Sequence, residues 1–309
     1  MAVPVFSRAH VEAAVSPERA VEAVRDAFVA YARGEWTMPP KVYVPAYPAG
    51  DFRAMPALGG GHALLKWVTS FPGNPAQGLP TVTGLVLLSD ASNGMLVAAL
   101  DAGAVTALRT GAAAVLAAET LGRNGPAAVI GAGVNGRAVV GTFVARGRRV
   151  VLYDVDAERA RAAAAELGAE AVSREEALAA DVVVTVTPGR EIVFPEGSLR
   201  TGQHVSLMGA DGPGKSEIAV EEMARARMFS DDWEQASHNG DLAHAVAAGA
   251  ITKDDVTELG AVLAGRAAGR ESPEDITIFD STGLAIQDLA IARAAMEHVD
   301  ELDLPRIKL

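Results

Sequence analysis

A short apolar segment that opens directly into a glycine-rich turn constrains this chain more than any other feature. Ala127–Ile130 precedes the run 131–136, Gly-Ala-Gly-Val-Asn-Gly, and a helical pattern follows. In such a unit the first glycine permits the tight turn and the second lets a pyrophosphate approach the backbone. The third lets the helix pack closely on the strand. The motif predicts an anion-binding turn, although glycine-rich turns alone are also common without a nucleotide.

A second predicted strand supplies the acid that completes this pattern. Arg149–Tyr153 is followed by Asp154, which stands 23 positions after Gly131. A carboxylate at about 20 positions is typical of a residue that accepts the ribose hydroxyls of NAD. The same carboxylate repels the 2′-phosphate of NADP. Strand, helix, second strand and acid together predict a bound NAD.

Length, charge and cysteine content exclude several classes of protein. The 309 residues are enough for two domains, and the net charge of −12, with no basic run, disfavours a nucleic-acid partner. The chain has no cysteine, which excludes disulfides and thiolate chemistry, and none of the six histidines has a metal-binding spacing. We expect no run of transmembrane length, no membrane partner, no metal and a cytoplasmic location.

The order of predicted elements indicates an α/β protein with two parts. Ser16 begins a helix, and the rest of the first hundred residues predicts an antiparallel sheet. A long helix follows over about 102–121, and then strands and helices alternate, which predicts a parallel sheet with right-handed crossovers. A helix is expected over Ser216–Ala226, a last strand over Ile276–Phe279, and a terminal helix from about Leu284 to Val299.

Four cations in the N-terminal part lie where a sheet does not need them. Lys66 and Arg109 stand in apolar surroundings, where a charged side chain is usually paired. A carboxylate substrate would be such a partner, held bidentately by Arg and as a point charge by Lys. Lys41 and Arg53 are further candidates, and the alternative for each is that the side chain simply extends to solvent.

Two turns after predicted strands of the parallel sheet could also carry chemistry. The run 208–215, Met-Gly-Ala-Asp-Gly-Pro-Gly-Lys, would lie at the carboxyl edge of the sheet, where ligands bind in such folds. Asp211 in this run is a candidate general acid or base, although its glycine and proline neighbours also favour a turn-forming Asp. The turn 184–189 could contact the cofactor or could be an ordinary exit from a strand.

Several of these segments stand in an order that resembles the ornithine cyclodeaminase/mu-crystallin family. They include Arg53–Pro56, Lys66–Val68, Thr106–Thr110, Gly209–Lys215 and Phe279–Ala285. The resemblance covers nearly the whole chain. It implies a homodimer built from a Rossmann dinucleotide-binding domain and an α+β substrate and dimerisation domain whose sheet pairs across the dimer.

The resemblance also implies domain limits and site residues. The substrate and dimerisation domain comprises 1–115 with 285–309, and the NAD-binding domain comprises 116–284. Lys66 and Arg109, with Lys41 beside them, correspond to the carboxylate clamp, and Asp211 corresponds to the acid or base. The implied catalytic residues are therefore Asp211, Lys66 and Lys41, and the substrate-binding residues are Arg53, Lys66 and Arg109. The implied cofactor contacts are Thr110, Gly131, Gly133, Val134, Asn135, Gly136, Asp154, Thr185, Val186, Thr187, Met208, Gly209, Lys215 and Ser281.

Arg53 is the one departure that bears on substrate choice. The ornithine cyclodeaminases that the chain resembles carry Glu at this position, which suits a second amino group. An Arg about 4 Å from a δ-ammonium group would cost roughly 4 kcal/mol at an effective dielectric constant of about 20. Arg53 suits a small or uncharged amino acid, or a second oxyanion.

The sequence therefore favours an NAD-dependent oxidoreductase that interconverts a small L-amino acid and its imine or keto acid. This activity resembles that of alanine dehydrogenase and could extend to cyclic imines. Ornithine cyclodeaminase, or a ligand-binding protein of the crystallin type that has lost turnover, remain as alternatives. The substrate side chain and the physiological direction stay open, and we expect the cations and the nucleotide to meet across one cleft.

Overall fold

The structure is a computed structural model that describes residues 2–212 and 214–308. It separates into one unit of Met1–Arg109 with Leu284–Leu309 and a second unit of Thr110–Gly283. The division falls within a helix, six residues before the predicted limit of the first domain. Leu284, rather than residue 285, is the first residue to return to the first unit.

The first unit contains most of the antiparallel structure. Its elements up to the division are β1 (Ala2–Phe6), α1 (Arg8–Ala14), α2 (Pro17–Ala32), β2 (Val42–Ala46), β3 (Gly50–Gly59), β4 (His62–Ser70), β5 (Val82–Asp90), β6 (Leu96–Asp101) and the start of α3 (Ala102–Leu121).

The second unit alternates strands and helices as predicted. Its elements after α3 are β7 (Ala127–Ile130), α4 (Val134–Ala145), β8 (Val150–Tyr153), α5 (Ala157–Leu167), β9 (Glu170–Ala171), α6 (Arg174–Leu178), β10 (Val182–Thr185), β11 (His204–Leu207), α7 (Val220–Ala224), β12 (Arg227–Ser230), α8 (Trp233–Asn239), α9 (Leu242–Ala247), β13 (Val256–Glu258), α10 (Leu259–Leu263) and β14 (Thr277–Asp280). The chain then returns to the first unit through α11 (Ala285–Met296) and β15 (Arg306–Lys308).

A seven-stranded sheet in the order β15-β1-β6-β5-β4-β3-β2 organises the first unit. Strands β2 to β6 pair antiparallel, as the sequence predicted, but β1 pairs parallel to β6 and antiparallel to β15. The sequence pattern did not predict β1 and β15, because both strands are short and their pairing partners are distant in sequence. On β3, buried and half-buried residues alternate, so one face of the sheet is packed inward.

An eight-stranded sheet in the order β13-β12-β14-β11-β10-β7-β8-β9 organises the second unit, and every strand pair in it is parallel. The strands β7, β10 and β11 are fully buried. Strands that are buried along their whole length are typical of a sheet covered on both faces. The α/β fold class with a parallel dinucleotide-binding sheet is thereby confirmed.

Two predictions about helices are wrong. The helix expected over Ser216–Ala226 is confined to Val220–Ala224, since Ser216 N and Glu217 N are already bonded to Gly189 O and Asp241 Oδ1. The expectation that no apolar run reaches transmembrane length also fails, because α3 is long and apolar enough to cross a membrane by length and composition. Of its most apolar window, 78% is buried inside the protein, which is typical of a core helix.

Candidate functional site

The carboxyl ends of neighbouring strands in the parallel sheet lie side by side. Ile130 is in register with Tyr153 and Thr185, Thr185 with Leu207, and Leu207 with Asp280. The residues that directly follow these strand ends are all predicted cofactor contacts: Gly131, Asp154, Val186, Met208 and Ser281. The register therefore brings these predicted contacts to one edge of the second unit, which we call the strand edge.

The glycines at the strand edge have the geometry that the motif requires. Gly131 has φ +113°, a conformation that residues with a side chain rarely adopt. A Cβ on Gly136 would lie 1.8 Å from Gly131 O, so this position admits only glycine. At Gly133, which precedes α4, a Cβ would meet no protein atom within 4 Å, so the turn is open to an approaching group. Val134 and Asn135 continue into the first turn of α4, whose N–H groups are suited to bind a phosphate.

Asp154 lies at the end of β8 and is anchored in place. Its Oδ2 accepts from Ala132 N at 2.7 Å, and its Oδ1 accepts from Asp156 N at 2.9 Å and from Arg159 Nη2 at 2.6 Å. Burial opposes ionisation, but the hydrogen bonds from Arg159, Ala132 and Asp156 outweigh it and hold the pKa of Asp154 below its ordinary value. A carboxylate fixed beside the glycine turn fits the ribose of a dinucleotide.

Two hydroxyl residues among the predicted contacts differ in their surroundings. The buried Thr110 Oγ1 has no hydrogen-bond partner among the residues that the structure describes. Such a group calls for an additional partner, and a bound cofactor would supply one. Ser281 Oγ donates to Asp231 Oδ2 at 2.8 Å, and Gly283 N donates to the same oxygen at 2.8 Å. Asp231 therefore fixes the turn after β14.

Glu217, which the sequence analysis did not single out, supports three of the predicted contacts. Its carboxylate accepts from Thr185 Oγ1 at 2.8 Å, from Thr187 N at 3.0 Å and from Gly209 N at 2.9 Å. Thr187 Oγ1 also donates to it, at 2.6 Å. Burial raises the pKa of Glu217, although these donors oppose the shift. The Thr185 hydroxyl is thus fully buried and engaged inside the protein.

Asp241 continues this buried acidic network behind the strand edge. Its Oδ1 accepts from Ser216 Oγ at 2.9 Å and from Glu217 N at 2.5 Å. Burial, reinforced by the negative charge of Glu217, raises the pKa of Asp241 to about 7. Burial and the charge of Asp241 likewise raise the pKa of Asp280 well above its ordinary value. Protonation of Asp241 or Asp280 therefore changes the charge of the network that holds the strand edge.

Asp211 and Lys215, the predicted acid or base and a predicted cofactor contact, form an ion pair. Lys215 Nζ lies 2.5 Å from Asp211 Oδ1, and both side chains are about one-third exposed, at 29% and 33%. Both therefore remain within reach of a bound molecule. Pro213 of the same predicted run lies outside the described residues.

In the first unit, Lys66 is completely enclosed. Its side chain is 1% exposed, and Nζ donates to Asp288 Oδ1 at 2.8 Å and to Thr106 Oγ1 at 2.6 Å. The apolar neighbours of Lys66 predicted that it is paired, but they did not indicate its partner Asp288, which lies on α11 and is 0% exposed. Burial lowers the pKa of Lys66 to about 8, with Arg109 and Arg53 adding to the effect and Asp288 opposing it.

Arg109 and Arg53 lie close to this ion pair. Arg109 Nε is 3.9 Å from Asp288 Oδ1, is buried, and has no hydrogen-bond partner among the described residues. Arg53 Nε donates to Asp51 Oδ1 at 2.6 Å and Nη2 donates to Asp51 Oδ2 at 3.3 Å. We call Asp51, Arg53, Lys66, Arg109 and Asp288 the charge cluster. Lys41, which immediately precedes β2, is half-buried.

The residues that the structure describes contain no candidate metal centre. Among residues 2–212 and 214–308, no group of three or more His, Asp or Glu side chains could hold a metal ion. His204, which is buried in β11, instead bonds to Thr277 Oγ1 and Ser206 Oγ, each at 2.9 Å. Burial lowers the pKa of His204 to about 3, so it is a neutral core residue.

The parallel sheet with its glycine turn and anchored acid defines a Rossmann-type dinucleotide-binding protein. The model of the ornithine cyclodeaminase/mu-crystallin family matches residues 3–302, and the chain belongs to that family. The resemblance drawn from the sequence segments is therefore confirmed.

Individual relatives cover nearly the whole chain. The alanine dehydrogenase of Archaeoglobus fulgidus is 42% identical over 308 residues, covering 95% of this chain and 94% of its own. The iminosuccinate reductase of Paracoccus denitrificans is 35% identical over 92% of both chains. A solved archaeal alanine dehydrogenase dimer with bound NAD superimposes with a TM-score of 0.94, at 41% identity and over 100% of both chains.

Proposed function

We propose that this protein is an NAD-dependent oxidoreductase that interconverts a small L-amino acid and its imine or keto acid. One observation carries the proposal. The same chain has a strand edge fitted to a dinucleotide and a buried charge cluster in which Arg109 Nε has no hydrogen-bond partner among the described residues. The names of the relatives fit this activity, since they include an alanine dehydrogenase and an iminosuccinate reductase.

Several residues of this chain support the binding of NAD at the strand edge. Gly131 and Gly136 allow the tight turn against α4, and Gly133 leaves room for the pyrophosphate. Asp154 suits the ribose, and Thr110 has an unused hydroxyl. Bound NAD would supply the acceptor for the hydride that leaves the substrate Cα. The further residues proposed to contact it are Val134, Asn135, Thr185, Val186, Thr187, Met208, Gly209, Lys215 and Ser281, with Thr185 acting through its backbone.

The substrate carboxylate is assigned to Arg109 and Lys66. Arg109 supplies a planar guanidinium for bidentate contact, and Lys66 supplies a point charge. Asp288 and Thr106 hold Lys66 Nζ in one orientation, so that the charge is fixed before a ligand arrives.

Asp211 is proposed as the general acid or base. After oxidation at Cα, it would take a proton from the water that attacks the imine, and it would return a proton to the departing ammonia. Lys41 would polarise the imine during this step. In the reverse direction the same groups would assist reduction of an imine, including a cyclic one.

The experiment is a spectrophotometric assay at 340 nm with NAD and a panel of amino acids that includes alanine and ornithine. Net formation of NADH with alanine supports the proposal. Proline and ammonia from ornithine without net NADH would instead indicate a cyclodeaminase. Tight NAD binding without any turnover would indicate a binding protein of the crystallin type.

We also propose a homodimer in the cytoplasm. The outer face of the seven-stranded sheet exposes large apolar side chains, among them Leu65 at 40%, Trp67 at 42% and Leu85 at 42%. Trp67 lies opposite Leu85 in the sheet, so these side chains form a continuous patch of the kind that marks a protein interface. The solved archaeal relative is a dimer. Light scattering of the wild-type protein and of Trp67→Glu tests the assignment, and a monomeric wild-type protein would contradict it.

A further inference from the structure

The three cations of the charge cluster differ in the contacts that hold them. Lys66 is paired with Asp288, and Arg53 is paired with Asp51. Arg109 is the third cation, and it lies 3.9 Å from a carboxylate oxygen that Lys66 already contacts at 2.8 Å. Its buried Nε has no hydrogen-bond partner among the described residues, so Arg109 favours a ligand that brings one negative charge.

Asp51 and Arg53 belong to the same inward face of the sheet as Lys66. Their side chains alternate with half-buried ones along β3, and the next inward residue of β3, Met55, stands directly opposite Lys66 on β4. Arg53 is thus a diagonal neighbour of Lys66, at roughly 7–8 Å across the strand pair. The two ion pairs and Arg109 therefore belong to one electrostatic environment, in which Arg109 and Arg53 both act on Lys66.

Asp51 also occupies the guanidinium edge of Arg53. Both Nε and Nη2 donate to the Asp51 carboxylate, and the side chains of the pair are only 9% and 10% exposed. Tyr43 packs its ring against the same guanidinium, 5.3 Å from Cζ. A second substrate carboxylate that approached Arg53 would be repelled by the Asp51 carboxylate, which already accepts from Nε and Nη2.

We infer that Asp51 is a specificity-determining residue that sets the cluster to accept a substrate with one carboxylate and to reject one with two. The inference rests on the proposed function and names its substrate class, which is a monocarboxylic amino acid or 2-oxo acid. It separates the two activities represented among the relatives above, because alanine carries one carboxylate and iminosuccinate carries two.

Alanine and aspartate provide the matched substrates, since aspartate is alanine with one added carboxylate. The wild-type protein should use alanine with the higher kcat/KM. Asp51→Asn keeps the size of the side chain and removes its charge, so the ratio of kcat/KM for aspartate to that for alanine should rise at least about tenfold. Glu297→Gln is the control, because it removes the carboxylate of the exposed Arg19–Glu297 pair outside the cluster and should leave the ratio unchanged.

An unchanged ratio in a folded Asp51→Asn protein, or a wild-type protein that prefers aspartate, would overturn the inference. Calorimetric binding of propionate and succinate to the wild-type protein decides the question even if the variant does not fold or the enzyme shows no turnover. Propionate should bind more tightly than succinate, and the reverse order would overturn the inference. If the protein shows no NAD-dependent turnover but still binds propionate more tightly than succinate, the proposed function is refuted. The inference that the cluster prefers one carboxylate would then still hold.

Discussion

Lys66 Nζ lies 2.8 Å from Asp288 Oδ1, and both side chains are excluded from solvent. Taking two charges out of water costs several kcal/mol per ion, and their mutual attraction recovers this cost only when the geometry is good. Burial is the main cause that lowers the pKa of Lys66 to about 8; the positive charges of Arg109 and Arg53 add to this effect, and Asp288 opposes it. Lys66 is therefore protonated at neutral pH, but it loses its proton as the pH rises through about 8.

Binding of a monocarboxylate should weaken above about pH 8. Below that pH Lys66 is charged and contributes to carboxylate binding, and above it the amine is neutral and the contribution is lost. Propionate is a suitable ligand because its carboxylate does not titrate in this range. We expect its dissociation constant, measured by calorimetry from pH 6.5 to 9.5, to rise progressively above about 8.

Lys66→Arg provides the control, because an arginine side chain stays protonated throughout this range. In this variant the dissociation constant should not rise above pH 8, whatever its absolute value. A wild-type dissociation constant that stays flat up to pH 9.5 would show that Lys66 does not bind the carboxylate.

Two glycine substitutions should separate folding from cofactor binding. Gly136→Ala would place Cβ 1.8 Å from Gly131 O, so it should lower the thermal midpoint by several degrees. At Gly133 a Cβ meets no protein atom within 4 Å, so Gly133→Ala should leave the midpoint nearly unchanged. It should nevertheless weaken NAD binding at least about tenfold, because the Cβ occupies the space of the pyrophosphate.

The measurements are differential scanning fluorimetry without ligand and a fluorescence titration with NADH. Equal affinities of Gly133→Ala and the wild-type protein for NADH would show that the dinucleotide does not approach this turn.

The strand edge was predictable because its signals are local. The spacing of Gly131, Gly133 and Gly136, together with Asp154 after the next strand, is set by a single strand–helix–strand unit. The rest of the edge follows from the rule that carboxyl ends of parallel strands meet on one side, and the observed register of Ile130 with Thr185 agrees with it.

The residues that support the site were harder to predict, because their partners are distant in sequence. Lys66 was identified by its apolar neighbours, but its partner Asp288 is 222 positions away. Asp288 is a lone acid in the apolar helix α11, and the criterion applied to Lys66 would have identified it. Glu217 and Asp51 had no such signal, since Glu217 follows polar residues in an irregular segment and Asp51 lies beside a turn.

Neutralising Asp154 should change the preference for the cofactor. Asp154 now holds Arg159, with 2.6 Å between Oδ1 and Nη2, and Arg159 is half exposed on α5. In Asp154→Asn the guanidinium is released from its anion, and an Arg at this position of a Rossmann fold can accommodate a 2′-phosphate. We expect the ratio of the NADPH and NADH affinities to shift toward NADPH by about tenfold or more, measured by fluorescence titration.

The double variant Asp154→Asn with Arg159→Ala should lose this gain in NADPH affinity. Arg161→Ala in the Asp154→Asn background is the matched control, because Arg161 lies on the same helix and pairs with Glu158 instead. If the double variant binds NADPH as tightly as Asp154→Asn alone, Arg159 has no part in the selection.

The buried acids behind the strand edge should make the protein less stable as the pH rises through the neutral range. The pKa of Asp241 is about 7 in the folded state and about 4 in an unfolded chain. Between these values the folded state keeps a proton that the unfolded state has released, so the free energy of unfolding falls with increasing pH. The buried His204, whose pKa is about 3 in the folded state, contributes in the opposite direction below about pH 6.5 in wild type and variants alike. Relative to a variant that lacks the Asp241 carboxyl, the urea midpoint of the wild-type protein should therefore fall between pH 5.5 and 7.5.

Asp241→Asn should reduce this pH dependence. The amide keeps an oxygen for Ser216 Oγ and Glu217 N, cannot ionise, and removes the repulsion between Asp241 and Glu217. Asp254→Asn, at an exposed position of the same unit, should retain the wild-type dependence. If the wild-type and Asp241→Asn midpoints change by the same amount between pH 5.5 and 7.5, Asp241 does not titrate as its burial requires.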